Sequence, residues 1–238
     1  MKKTILVTGC NRGIGFCLIQ KLIKDVNNIV IGTTRSNTSA LSDLKEANHD
    51  RLHIIEMDVG IEKSITDAFL KISNLCTSLD VVINNAGYAP DKTKKGENVS
   101  RSDMMDAFEI NTLGPLLVIQ QSLPLLRNGL MKKIINISSL LGSHAMNPGR
   151  QIAYSTAKCA LGMITSIFAK ELESEGFTIV AVHPGTVATD MRPDLKLPGA
   201  MPHIQPDESA DGILNNVVFA KENLNGRFIT WNGETMAW

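Results

Sequence analysis

Short runs rich in valine and isoleucine recur along this chain at 4–7, 29–33, 52–57, 79–83, 134–137 and 178–182, with a seventh at 228–231. Longer segments of helical character separate them. The runs lack the polar and apolar alternation of a half-exposed strand, which suits a parallel sheet covered on both faces. Helices are expected at 14–24, 38–47, 62–76, 102–127, 152–174 and 206–220. That order describes an α/β fold, a doubly wound parallel sheet of about seven strands in a single Rossmann-type domain, whose ligands gather beyond the carboxyl ends of the strands. The 238 residues suffice for one such domain, 1–238, and contain no repeat, low-complexity tract or evident linker. Three irregular stretches, 86–101, 140–151 and 186–205, follow strands and are longer than ordinary connections, so they are expected to rim a site.

Charge narrows the partners. Twenty-four basic residues balance twenty-four acidic ones, so no overall field draws in nucleic acid or an anionic membrane surface, and neither partner is expected. No apolar run approaches the roughly 20 residues that span a bilayer, and polar residues and glycines interrupt the opening MKKTILVTG before a signal-peptide core forms. Cys10, Cys17, Cys76 and Cys159 include no C-x-x-C pair and read as reduced thiols of a cytoplasmic protein. His49, His53, His144, His183 and His203 show no metal-ligand spacing, so no metal site is expected. Of the N-x-S/T matches at Asn37, Asn98 and Asn136, the last lies in an apolar run that reads as a buried strand.

The segment TGCNRGIG at 8–15 directly follows the first strand. Gly9, Gly13 and Gly15 permit a tight turn and close backbone approach, and the helix that follows offers its N–H groups to a diphosphate. Asn11, Arg12 and Ile14 fill the same turn. A glycine-rich turn before a helix also has a purely structural reading, and the missing Gly-Lys-Ser/Thr excludes a nucleoside triphosphate loop.

Four further motifs follow in order, each after an expected strand or opening an expected helix: NNAG at 84–87, INISS at 135–139, YSTAK at 154–158 and HPGTVATD at 183–190. Together with TGCNRGIG they resemble the short-chain dehydrogenase/reductase family over almost the whole chain. TGCNRGIG, NNAGYAP and the terminal GETMAW are similar to the carbonyl reductases of the sniffer and C-factor type within that family.

The chemistry can also be built from the residues. Tyr154 and Lys158, four positions apart, share one helix face, where an ammonium can favour a phenolate. The tyrosine can then donate a proton to a carbonyl oxygen as hydride reaches the carbon. Ser139, at the carboxyl end of a strand, is placed to stabilise the developing oxyanion, with Ser138 as the alternative. The resemblance implies that Ser139 orients the substrate carbonyl and that Asn111 holds a water-linked proton path to Lys158. Ser139 precedes Tyr154 by more residues than is commonest in the family, and the extra length lies in 142–153. His144, Met146 and Tyr88 are candidates for the substrate pocket, and 186–205 for a cover over it.

Cofactor choice is written near the end of the second strand. An enzyme using NAD usually carries an acidic residue there for the ribose hydroxyls, whereas this chain has Thr33, Thr34 and Arg35. Arg35, with Arg12 from the glycine turn, suits the 2′-phosphate of NADP(H). The resemblance further implies cofactor contacts at Asp58, Val59, Asn85, Ala86, Gly87, Pro184, Gly185, Val187 and Thr189, besides Tyr154 and Lys158. The expected activity is NADPH-dependent reduction of an aldehyde or ketone. The alternatives are NAD-dependent alcohol oxidation and a C-factor-like signalling protein that binds nucleotide with little turnover. A homodimer is expected, as is common in the family, through the long helices 102–127 and 152–174.

Overall fold

A computed structural model describes residues 2–90 and 93–238. Met1 and, inside the expected 86–101 rim, Asp91 and Lys92 lie outside the described residues. The strands are β1 (Lys3–Thr8), β2 (Asn28–Thr34), β3 (Leu52–Glu56), β4 (Val81–Asn84), β5 (Lys133–Ile137), β6 (Thr178–His183), β7 (Phe228–Thr230) and β8 (Thr235–Met236). They form one sheet in the order β3-β2-β1-β4-β5-β6-β7-β8, parallel throughout except for β8, which pairs antiparallel with β7. The crossovers run outward in opposite directions from β1 and β4, so a crevice opens at the carboxyl ends of these neighbours.

Alternate residues of the central strands enter two separate cores, because successive side chains of a strand point to opposite faces. On one face Ile5, Val7, Val81, Ile83, Ile135 and Val180 pack with Leu18 and Leu22 of α1 (Gly13–Leu22), Leu41 of α2 (Ser39–Glu46) and Ile213 of α7 (Pro206–Ile213). On the other, Leu6, Val82, Ile134 and Ile179 meet Ile65 and Phe69 of α3 (Glu62–Leu75), Val118 and Leu126 of α5 (Gly114–Arg127), and Ala169 of α6 (Ile152–Glu171). Burial on both faces is why the strands read as unbroken apolar runs.

The fold departs from the sequence expectation in three places. The sheet has an eighth strand, β8. The expected helix 102–127 is two helices, α4 (Arg101–Phe108) and α5, joined through a π-helical turn, Glu109–Leu113. The expected helix 206–220 likewise divides into α7 and a π-helical turn, Leu214–Val218.

By length and composition alone one helix, α6, is long and apolar enough to cross a membrane, with 20 residues and an 18-residue window of mean hydropathy 1.3. It is a core helix here: Ala157, Lys158, Leu161 and Thr165 are among its buried residues. A polar ladder fastens it to the sheet. Asn84 Nδ2 donates to Asn136 Oδ1 at 2.9 Å, Asn136 Nδ2 to Thr165 Oγ1 at 2.9 Å, and Thr165 Oγ1 to the Leu161 carbonyl at 2.8 Å. From the other side, Thr112 Oγ1 donates to the Ala157 carbonyl at 2.8 Å. Buried hydrogen bonds of this kind fix one register between helix and sheet.

Candidate active site

A trough of about 330 Å³ runs along the carboxyl ends of β1 to β6. Its floor at one end is the glycine turn. Gly9 has φ +67°, and a Cβ there would lie 2.8 Å from Ala86 Cα, so the turn and the segment after β4 pass one another at a separation that excludes a side chain. Asn85 locks this crossing, its Nδ2 donating to the Thr8 and Gly9 carbonyls at 2.9 and 3.0 Å, while the Asn85 and Ala86 amides both donate to Thr8 Oγ1 at 3.0 Å. Helix α1 opens into the trough with no side-chain cap and no acidic residue in its first turn. Its first amides therefore retain their capacity for an anion.

The walls carry the other expected residues. Thr34 Oγ1 donates to the Ser36 carbonyl at 2.6 Å and accepts from the Ser36 amide at 3.2 Å, closing a turn that leaves Arg35 at the rim. Arg35 lies 3.6 Å from the Asp58 carboxylate, and Arg12 lies 3.4 Å from that of Asp190, which also holds Lys196 at 2.6 Å. Those cations keep the Asp190 carboxyl below the usual carboxylate range. Asp58 also accepts from the Gly60 amide at 2.9 Å, which orients the chain after β3.

The trough wall includes every expected nucleotide-contact residue except Gly185 and Val187. Gly185, with φ +90°, lies against Trp231 and Ile204, and Val187 forms a bridge with Ile204. Both shape the wall from behind. Ser36, Met57, Ile110 and Ile137 also line the trough and were not anticipated from sequence, and Asp190 lines it from within the expected 186–205 rim. Asp190 stands far along the chain from Arg12, so no local pattern could announce their pairing. Ser36, adjacent to Arg35, was within reach of the reasoning applied to that arginine. His144 and Met146 are not among the lining residues, whereas Tyr88 and Met191 are.

At the far end Tyr154 and Lys158 face the trough from the first turns of α6. Burial pushes the Tyr154 phenol up to about 12, and the neighbouring Ser139 hydroxyl pulls in the opposite direction. Burial presses Lys158 down to about 7. Its Nζ donates to the Ile137 carbonyl at 2.8 Å and sits 5.9 Å from the centre of the Tyr154 ring. Desolvation thus dominates both groups, and the phenol is held protonated at neutral pH. A protonated phenol suits proton donation.

Ser139, not itself part of the trough lining, caps a short 3₁₀ turn, Leu140–Gly142. Ser138 lines the trough. The influence of Ser139 on Tyr154 favours it over Ser138 as the hydroxyl beside the phenol. Asn111 lies buried in the π-helical turn behind the wall, where Nδ2 donates to the Tyr88 and Ala107 carbonyls at 2.7 and 2.9 Å and Oδ1 accepts from the Tyr88 amide at 3.1 Å. It pins the chain after β4. A Cβ on Gly87 would lie 3.2 Å from Asn111 Oδ1 and 3.8 Å from Lys158 Nζ, so both groups face the space above that glycine. Single π turns recur at functional sites because the inserted residue redirects a side chain.

A nucleotide trough ending at a tyrosine, a buried lysine and a serine defines an oxidoreductase of the short-chain type. The short chain dehydrogenase family pattern matches residues 3–198, and the chain belongs to that family. It is similar in structure to the carbonyl reductase Sniffer of D. melanogaster, with 30% identity, full coverage of both chains and a TM-score of 0.89. An NADPH-bound carbonyl reductase from chicken fatty liver is 31% identical, with 100% of this chain and 99% of that chain covered and a TM-score of 0.86. The C-signal protein of Myxococcus xanthus is 38% identical over 70% of this chain and 97% of its own length.

Proposed function

We propose that the protein is an NADPH-dependent carbonyl reductase that converts an aldehyde or ketone to the alcohol. The observation that carries this reading is the placement of Tyr154 with Lys158 and Ser139 at the end of a trough whose opposite rim bears two arginines. The residues fit the nucleotide. Uncapped amides of α1 and the glycine turn suit its diphosphate, with Gly9, Asn11, Gly13, Ile14 and Gly15 forming the cradle. Arg12 and Arg35 suit a 2′-phosphate, since their carboxylate pairs are long and solvent-exposed and such pairs are weak competitors for a phosphate dianion. Asp58 and Val59 face the adenine side, and Asn85, Ala86, Gly87, Pro184 and Thr189 follow the nucleotide toward Tyr154. NADPH, when bound, supplies the hydride.

The chain's own residues do the rest. Ser139 donates a hydrogen bond to the carbonyl oxygen as negative charge builds there, and Tyr154 transfers its proton to that oxygen. The Lys158 ammonium lowers the cost of the phenolate left behind. Asn111 holds the Tyr88 segment and faces the space through which a proton can return by way of Lys158. Residues 186–205 cover the substrate side, anchored by the Val187–Ile204 bridge and the Asp190–Lys196 pair. The domain spans 1–238.

NADPH consumption with a panel of aromatic and aliphatic carbonyls tests the reading, and absence of turnover with all of them would overturn it. NAD-dependent alcohol oxidation is disfavoured by the two rim arginines, and a binding-only role by the complete set of Asn111, Ser139, Tyr154 and Lys158. The four unpaired cysteines fit a reducing cytoplasm. A homodimer is supported by exposed Leu113, Met163 and Ile167 on the helices expected to pair. Sedimentation as a monomer at micromolar concentration would reject it.

A further inference from the structure

The 3₁₀ turn that follows Ser139 has three amides to satisfy. The Leu141 amide donates to Ser139 Oγ at 3.2 Å and the Gly142 amide to the Ser139 carbonyl at 2.8 Å, both inside the turn. The Leu140 amide leaves it and donates to Nδ1 of His183 at 3.1 Å. His183 ends β6, where its own backbone is held by register with Thr230 and by the Trp231 amide donating to its carbonyl at 2.8 Å. Pro184 follows at the trough wall, its carbonyl accepting from Ser209 Oγ at 2.6 Å. The imidazole therefore stands on a rigid base and reaches across to the chain that carries the serine. Burial presses it down to about 4, so the ring is neutral at physiological pH. Accepting at Nδ1 assigns its proton to Nε2.

We infer that His183 is a positioning residue for the Ser139 hydroxyl, fixing through the Leu140 amide the turn on which that hydroxyl is mounted. The bond matters because Ser139 has one proton to give. With Oγ already accepting from Leu141, the hydroxyl proton remains available for the substrate oxygen as long as the turn keeps its place. Without the imidazole, the Leu140 amide loses its acceptor and the turn is free to rotate toward water. A displacement on the scale of an ångström is enough to cost most of an oxyanion contact. The same ring fixes the spacing between the serine turn and the Pro184 wall, so the two sides of the reacting centre share one support.

This inference rests on the carbonyl reductase reading, and the test separates the two. His183→Leu removes the acceptor, His183→Asn returns one near the position of Nδ1, and His183→Gln places one near that of Nε2. His183→Leu is expected to lower kcat by roughly one to two orders of magnitude. NADPH affinity measured by fluorescence titration should stay close to that of the native enzyme. His183→Asn should recover most of kcat and His183→Gln little of it. In a Ser139→Ala background, His183→Leu should cause little further loss, because the hydroxyl it positions is gone. Equal loss in both backgrounds, or Asn and Gln variants no better than Leu, would overturn the inference. Should His183→Leu fail to fold, the comparison of Asn with Gln decides. Native protein inactive toward every carbonyl would sink the functional reading, whereas an active native protein with undiminished kcat in His183→Leu would sink the positioning role alone.

Discussion

Lys158 directs one of its protons to the carbonyl oxygen of Ile137, 2.8 Å away at the end of β5, while the Tyr154 ring centre lies 5.9 Å from the same nitrogen. The lysine is thus tethered to the strand that leads into Ser138 and Ser139, and its charge is aimed along the sheet edge on which the proposed chemistry depends. Burial separates the two titrations widely, placing Lys158 near 7 and Tyr154 near 12.

The first consequence is a basic limb in the pH profile. As pH rises through about 7 the Lys158 ammonium is lost while Tyr154 keeps its proton, so the phenolate formed during turnover loses its support. In the reductive direction kcat is expected to decline across that range. Steady-state kinetics at saturating NADPH measures it, and a rate constant that stays level through the range contradicts the assignment.

A second consequence concerns stability. The folded pKa of Lys158 lies below its unfolded value of 10.5, so between about 7 and 10.5 the unfolded chain binds more protons and the folded state gains stability as pH rises. Below that window the penalty of the buried charge is present in full. Relative to Lys158→Met, the native protein should gain stability over the window by about 4 kcal/mol, read from urea unfolding at its two ends. A constant difference between the two proteins would show that the lysine does not change its charge on folding.

Tyr154→Phe removes the proposed acid and leaves the ring. Carbonyl reduction is expected to fall by about 10²- to 10⁴-fold with little change in fold or NADPH affinity. Circular dichroism and cofactor titration serve as controls, and native turnover in the variant would refute the mechanism. Ser139→Ala should lower kcat more than Ser138→Ala, and the reverse order would identify the wrong serine.

Arg35→Asp tests cofactor choice. The substitution places a carboxylate beside Asp58 and opposite the 2′-phosphate, and should move the ratio of kcat/KM for NADPH over NADH by at least about tenfold toward NADH. Carbonyl reduction with NADH should persist. An unchanged ratio would mean that Arg35 is an ordinary rim cation.

The sheet, the positions of its parallel strands and the residues of the proposed reacting trio were legible because each has a local signature. Apolar runs mark buried strands, the glycine turn marks the nucleotide end, and Tyr154 and Lys158 share a helix face through their spacing. What escaped is long-range or too short for a period to register. β8 has two residues and exists through pairing with β7 and the stacking of Trp238 on Phe228, whose ring centres are 5.3 Å apart. Arg12 and Asp190 meet across the trough from opposite ends of the chain. The low pKa of Lys158 was hidden as well, because a charge pattern read from sequence carries no measure of desolvation.

The widened turn at Glu109–Leu113 lies inside what sequence periodicity presents as one helix, and Gly114–Pro115 is the faint local mark of it. A π turn holds about one residue more than an α turn over nearly the same rotation, so α4 and α5 keep a common phase across it. Removing one residue would restore the α-helical spacing while redirecting the side chains of the turn itself. Asn111, which sits inside the turn, would leave Tyr88, while the Ser100–Asp103 cap of α4 would stay where it is. Substitutions and deletions should therefore give opposite pictures of the segment in a mutational scan, with an exposed side chain such as Glu109 exchangeable and chain length fixed. For grafting between relatives, the safe seam lies at the ends of the α4–α5 rod, and a splice across its middle would transplant the sequence while losing the widened turn that aims Asn111.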